Sequence, residues 1–188
     1  KCPVCNKSSP NGQTHTRCFS SYSIDGVFAI THKNLLLTSI LKQLKYRHPH
    51  HLISAFEPIL ANTPSQFHDF NLIIPIPLHP KRLRQRGFNQ AELLAIIFSR
   101  ILNVPANPNL LVRARYTTPQ ADIHDRPTRL QNLKNVFHLT ESIDKQLIYN
   151  KKILLIDDVS TTGATLCQAA TPLKRNGASA VWGLVIAR

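Results

Sequence analysis

Near the end of the chain an apolar run, Ile153-Leu154-Leu155-Ile156, stops at two adjacent acids, Asp157 and Asp158. Behind them come Ser160, Thr161, Thr162, Gly163, Ala164 and Thr165, hydroxyl side chains gathered around a glycine. The apolar run reads as a buried parallel strand, and open α/β sheets bind ligands at the carboxyl ends of such strands. A helix opening at Gly163 would present free N–H groups and a partial positive charge, which suit a phosphate. Thr161, Thr162 and Thr165 add hydroxyl donors. Gly163, one of only six glycines, would let the backbone come close to an anion. Two carboxylates would repel a phosphate placed against them. They suit sugar hydroxyls, or a metal with its waters, a few ångström away. A phosphorylated ribose meets both halves of the site. An ordinary helix cap needs one such polar residue, whereas this turn has five and a glycine.

A second cluster opens the chain. Cys2, Cys5, His15 and Cys18 form C-x2-C-x9-H-x2-C, two close pairs with the spacing of a tetrahedral zinc knuckle. The surrounding segment is polar, so metal binding is the obvious way to order it. The fourth cysteine, Cys167, stands alone and reads as a small buried apolar residue. His48, His50 and His51, and likewise His124 and His138, read as solvated side chains rather than further ligands.

Charge narrows the partners. Lys and Arg number 23 against 10 Asp and Glu, a net charge of +13, which points to an anion: nucleic acid, a phosphorylated metabolite or a membrane surface. A charge kept for solubility alone is the competing reading. No apolar run approaches the ~18 residues of a membrane helix, and no signal-peptide pattern opens the chain. Reduced cysteines in a metal pattern fit a cytoplasmic setting. The chain contains no methionine, even at position 1, which suggests an origin inside a longer product.

The elements that must position these residues follow from the 188-residue pattern. Residues 1–20 form the knuckle module and 21–188 the main domain. A strand is expected over Gly26–Thr31, then a helix capped by Asn34 with Leu36, Ile40 and Leu44 on one stripe, and a second helix over His51–Leu60. Asn71–Pro77 reads as a buried strand and HPKRLRQRG (79–87) as a basic loop. Phe88–Leu102 has helical spacing, whereas 103–128, with four prolines, reads as loop with a short strand at 109–113. A strand at 151–157, a helix over 163–176 bent at Pro172 and a strand at 179–187 complete the set. Strands alternating with helices give an α/β class with a mostly parallel sheet flanked by helices. Phe19, Tyr22, Phe28, Tyr46 and Phe88 are expected in core packing.

Taken together, Asp157-Asp158-Val-Ser-Thr161-Thr162-Gly163-Ala-Thr165 resembles the phosphoribosyl-pyrophosphate (PRPP) loop of type I phosphoribosyltransferases. The segment from Pro75 through His79 and Arg86-Gly-Phe-Asn89-Gln90 is similar to the signature of the ComF/GntX family of competence proteins. So are Leu44-Lys45-Tyr46 and Thr118-Pro-Gln120 through Arg126, Arg129, Asn132 and Phe137. The resemblance implies a phosphoribosyltransferase-like fold with a small zinc-finger-like module. It implies that Asp157 and Asp158 hold the ribose hydroxyls, directly or through Mg²⁺, and that Ser160–Thr165 hold the 5-phosphate. His79, Lys81 and Arg82 would face the pyrophosphate, with Arg84 and Arg86 as further cations. A mobile loop carrying Gln120, Arg126 and Arg129 would close over the ligand. Related proteins usually place four cysteines where His15 takes one position here. Three functions stay open: a Mg²⁺-dependent transferase using PRPP, a PRPP-type domain serving DNA uptake with single-stranded DNA and other competence proteins as partners, and a PRPP sensor.

Overall fold

The computed structural model describes residues 1–31, 69–116 and 135–188. The helices expected over 35–46 (capped by Asn34) and 51–60, the histidines at 48, 50, 51 and 124, and Gln120, Arg126 and Arg129 lie outside those residues.

Four strands build the central sheet: β1 (Gly26–Thr31), β2 (Leu72–Pro75), β5 (Lys152–Val159) and β6 (Ala180–Ala187). They run in the order β1-β6-β5-β2, and every neighbouring pair is parallel. β3 (Leu111–Arg113) and β4 (Phe137–Leu139) form a separate antiparallel pair. Three helices are described: α1 (Pro80–Arg86), α2 (Gln90–Leu102) and α3 (Ala164–Arg175).

β5 shows why its sequence is continuously apolar. Ile153 and Leu155 face one hydrophobic cluster, with Leu166, Ala169, Ala170 and Leu173 of α3. Leu154 and Ile156 face the other, with Leu94, Ala95, Phe98 and Leu102 of α2. Both faces of the strand are covered, so the usual polar alternation disappears. The carboxyl ends of β2 and β5 lie side by side, in register at Pro75 and Ile156. The edge of β2 is covered in turn: Ile73 N–H donates to Pro105 O at 2.8 Å, and Asn107 N–H to Ile73 O at 2.9 Å.

Two expectations are corrected. The basic stretch after β2 is a helix, α1, rather than a loop. Pro80 fills its first turn, His79 Nδ1 accepts the Lys81 N–H at 3.2 Å, and Gly87 stops it in the left-handed region at φ +79°. α1 buries no residue, so it leaves no apolar periodicity to read. The next helix starts at Gln90, not Phe88, because Asn89 Oδ1 takes the Ala91 N–H and caps it. The β3–β4 pairing brings residues from either side of 117–134 together, and local pattern does not announce it. α3 continues through Pro172 to Arg175, where Asn176 and Gly177 end it.

Candidate functional site

Asp157 and Asp158 are not beyond the strand but part of it, two of the last three residues of β5. Each carboxylate turns back on the chain. Asp157 Oδ1 accepts the Asp158 N–H at 2.9 Å, and Asp158 Oδ1 accepts the Val159 N–H at 2.8 Å. The two carboxyl groups also lie within hydrogen-bonding reach of each other. Burial pushes the Asp157 carboxyl well above the usual range, Asp158's charge adds to that, and Arg113 opposes it. A diol, a cation or an arginine would give that charge a partner.

The turn to α3 uses some of its own amides. Ser160, buried, donates its N–H to Ala187 O at 3.0 Å, which fixes the turn on β6. Thr162 Oγ1 accepts the Ala164 N–H at 3.4 Å, while Gly163 takes the N-cap position. The amides of Thr162, Gly163 and Thr165 donate to no described residue, those of Thr162 and Thr165 being on half-buried residues and that of Gly163 on a buried one. Gly163 has φ +79°, which only glycine takes without strain. The space beside its Cα belongs to the protein. A Cβ there would lie 3.0 Å from Pro3 O and 3.1 Å from Pro3 Cβ. The sequence offers a glycine so that an anion can approach; the structure shows the knuckle module approaching instead.

The loop after β2 and the start of α1 carry His79, Lys81 and Arg82. The His79 ring stands edge-on to Tyr116 at 5.3 Å, and Lys81 Nζ lies 5.0 Å from the Tyr116 centroid. A residue that sequence reasoning missed joins them: Arg113 of β3, over the Phe137 ring at 5.6 Å. Burial lowers its pKa first and Arg82 lowers it further, while Asp157 raises it. Arg82, Arg113 and Asp157 therefore share one electrostatic neighbourhood. Nothing local in the stretch Arg113-Ala114-Arg115 marks it, because only the β3–β4 pairing places it. Asn89 serves the frame of the site: its Nδ2 donates to Ile76 O and to Glu92 Oε1, both at 3.0 Å, tying α2 to the end of β2.

The amino-terminal cluster assembles as its spacing implies. One ligand atom from each of Cys2, Cys5, His15 and Cys18 lies within 4.8 Å of the others. His15 Nδ1 is 3.3 Å from Cys5 Sγ. Its Nε2 lies 2.8 Å from Ser8 O, and a proton there turns the Nδ1 lone pair toward the thiols. Burial works against ionising Cys2, but backbone hydrogen bonds from Cys5, His15 and Val4 override it and bring the thiol down to about 6. Desolvation and the neighbouring Cys5 push Cys18 the other way. Crowded thiols that cannot all ionise by themselves suit a dication, and three sulfurs with one nitrogen could hold a tetrahedral metal.

The module packs onto the main domain at the candidate site. Besides Pro3 against Gly163, the Cys167 thiol donates to Pro3 O at 3.6 Å. Arg188 donates to Lys1 O at 2.6 Å and to Cys2 O at 3.5 Å. Cys167, expected in the core, is half-buried and takes part in this contact. Phe19 and Tyr22, also expected in the core, are exposed. Among the described residues, no helix is long and apolar enough to cross a membrane.

A four-stranded parallel sheet, covered on both faces, with twin aspartates at one strand end and a glycine turn onto the next helix, defines an α/β domain with a candidate ligand site at the carboxyl end of β5. No family model matches the chain. It is 40% identical over 114 residues to competence protein F of Haemophilus influenzae, covering 60% of this chain and 48% of that protein. It is 33% identical over 153 residues to DNA utilization protein YhgH of Escherichia coli (77% and 64%), and 32% identical over 158 residues to competence protein ComFC of Bacillus subtilis (78% and 57%). These relatives support a place for the chain in the ComF family. It spans between about half and two thirds of the length of these relatives. Among solved structures it is similar to a glutamine PRPP amidotransferase of B. subtilis, with 16% identity and a TM-score of 0.48 over 74% of this chain and 27% of that one. A purine phosphoribosyltransferase of Pyrococcus horikoshii gives 18% identity and a TM-score of 0.44 over 74% of this chain and 75% of that one.

Proposed function

We propose that this protein binds a phosphorylated ribose, PRPP or a close relative, at the carboxyl end of β5, and that it does so in the service of DNA uptake on the cytoplasmic side. One observation carries the ligand reading: two carboxylates, three unengaged amides and a pair of arginines converge where β2 and β5 end. Asp157 and Asp158 hold the ribose hydroxyls. The amides of Thr162, Gly163 and Thr165, with the threonine hydroxyls around them, seat the 5-phosphate at the start of α3. His79, Lys81 and Arg82, with Arg113, face the pyrophosphate. Mg²⁺, held by the pyrophosphate and the Asp157–Asp158 end, would neutralise charge on the leaving group if transfer occurs. The chain's own part is then electrostatic, since such a transfer needs no protein nucleophile. Gln120, Arg126 and Arg129 would lie on the loop closing over the ligand. Zn²⁺ is the metal that Cys2, Cys5, His15 and Cys18 hold.

The DNA-handling half of the reading is supported by relatives named for competence and DNA utilization and by the net charge of +13. It takes single-stranded DNA as the macromolecular partner and other competence proteins as further ones. The ligand half is tested by calorimetry with PRPP and Mg²⁺. Replacing both acids, Asp157→Asn with Asp158→Asn, removes hydrogen bonds to charged groups and should weaken binding about ten-fold or more. A folded double variant that binds PRPP as tightly as the parent sinks the assignment.

A further inference from the structure

The knuckle segment leaves its metal ligands, reaches the carboxyl end of α3, and there displays aromatic rings instead of burying them. Phe19 is 48% exposed and Tyr22 49%. A cation covers one face of each ring. Lys174 Nζ sits 5.7 Å from the Phe19 centroid, and the Arg175 guanidinium carbon 5.3 Å from that of Tyr22. A third ring, Tyr149, is 70% exposed and lies against Gly177, where a Cβ would come 2.6 Å from Tyr149 Cδ2. Lys174, Arg175 and Gly177 fall within four consecutive positions, so the three rings are anchored within roughly 11 Å of chain.

The charge around them is mostly positive, with exposed Glu141 lining the same groove as Lys145 and Arg175. Arg17, Lys145, Lys151 and Arg175 are exposed on the same segments. The acid built into this face, Asp25, is already engaged: it pairs with Lys174 Nζ at 3.0 Å and accepts the Val181 N–H at 2.6 Å. It therefore does little to repel an anion. Asp144, also exposed, is turned to its own chain, where it caps the 145–147 turn.

We propose that Phe19, Tyr22 and Tyr149, with Arg175 between them, form a stacking platform for single-stranded nucleic acid. Unpaired bases offer flat faces to the three rings, two of which, Phe19 and Tyr22, have the other face covered by a cation, while exposed lysines and arginines meet the phosphates. A duplex hides its base faces, and an acidic peptide has none, so neither would use the rings. The proposal rests on the DNA-handling part of the reading above and is independent of the ligand site. The 12 residues of α3 put roughly 18 Å between the phosphate turn at its start and this strip at its end.

The test uses the whole zinc-loaded chain and fluorescence anisotropy with labelled oligo(dT), oligo(rU) and a duplex of the same length. The expected order is either single strand well above duplex, the tighter of the two naming the physiological strand. Tyr22→Ala and Tyr149→Ala should each weaken binding by about five-fold or more, and Tyr22→Phe and Tyr149→Phe should not. Arg175→Gln should lower the slope of log affinity against log salt by about one. Thermal melts and metal content confirm that each variant is folded. Unchanged binding in a folded Tyr22→Ala/Tyr149→Ala variant overturns the strip, as does equal or better binding of duplex. A parent that binds PRPP but no oligonucleotide overturns the strip and leaves the ligand reading standing. One that binds oligo(dT) through these rings but no PRPP does the reverse.

Discussion

Two glycines in this fold share one backbone angle and differ in what surrounds them, which isolates the contact between the amino-terminal segment and the turn into α3. Gly87 and Gly163 both sit at φ +79°. A Cβ at Gly87 would meet nothing within 4 Å, whereas one at Gly163 would crowd Pro3 O, Cβ and Cα at 3.0, 3.1 and 3.2 Å. Gly87→Ala should therefore lose only the left-handed strain, about 1–2 kcal/mol. Gly163→Ala should lose the same amount and about 1–2 kcal/mol more for overpacking, because Pro3 is a rigid ring between two candidate metal ligands and cannot step aside alone. At roughly 2–4 °C per kcal/mol for a chain of this length, the Gly163 variant should melt roughly 5–15 °C below the parent. Urea unfolding of both variants with zinc present gives the two losses. Repeating it after chelation should shrink the excess at Gly163, since a released Pro3 no longer resists the methyl group. Equal losses at the two positions, or an excess untouched by chelation, refute the packing of Pro3 on the turn.

Other consequences can be measured with the same protein. Stripping the metal should speed alkylation of Cys167, followed by peptide mass spectrometry, because the knuckle no longer holds Pro3 O over its thiol; an unchanged rate contradicts the contact. Asp157 has a folded-state pKa raised by burial, so the stability it confers is full below the unfolded value of about 4 and is lost as pH rises. Ligand-free Asp157→Asn should thus match the parent near pH 3 and exceed it in stability at neutral pH, as read by denaturant titration. Phe98, fully buried between α2 and the sheet, should cost about 3–5 kcal/mol when cut to alanine, without touching the site.

Much of this arrangement is legible in the sequence because its signals are local. Apolar runs mark β2, β5 and β6, and two close ligand pairs mark the metal cluster. The acids at 157 and 158 mark the strand end that a ligand needs. What escapes is long-range. α1 has no buried face, so only Pro80 and Gly87 hint at it. Arg113 reaches the site through a pairing across residues 117–134. The neighbour of Gly163 is Pro3, which no window along the sequence could bring together with it. Phe19 and Tyr22 are expected in the core because aromatic rings usually are, and only the exposure of α3's far end shows otherwise.

The seat of the knuckle has a consequence for how the protein is made. Cys167 and Pro3 are 164 positions apart, and Arg188 meets residues near the other extreme of the numbering. Translation delivers the metal-ligating segment long before its docking surface. While the residues between them are being made, that segment could hold a metal ion but lacks the surface it packs on. Contacts of such separation form late and slow folding. Zinc captured early would keep this arm compact while it waits, and metal shortage during growth should show as misfolded nascent chains before it shows as lost ligand binding.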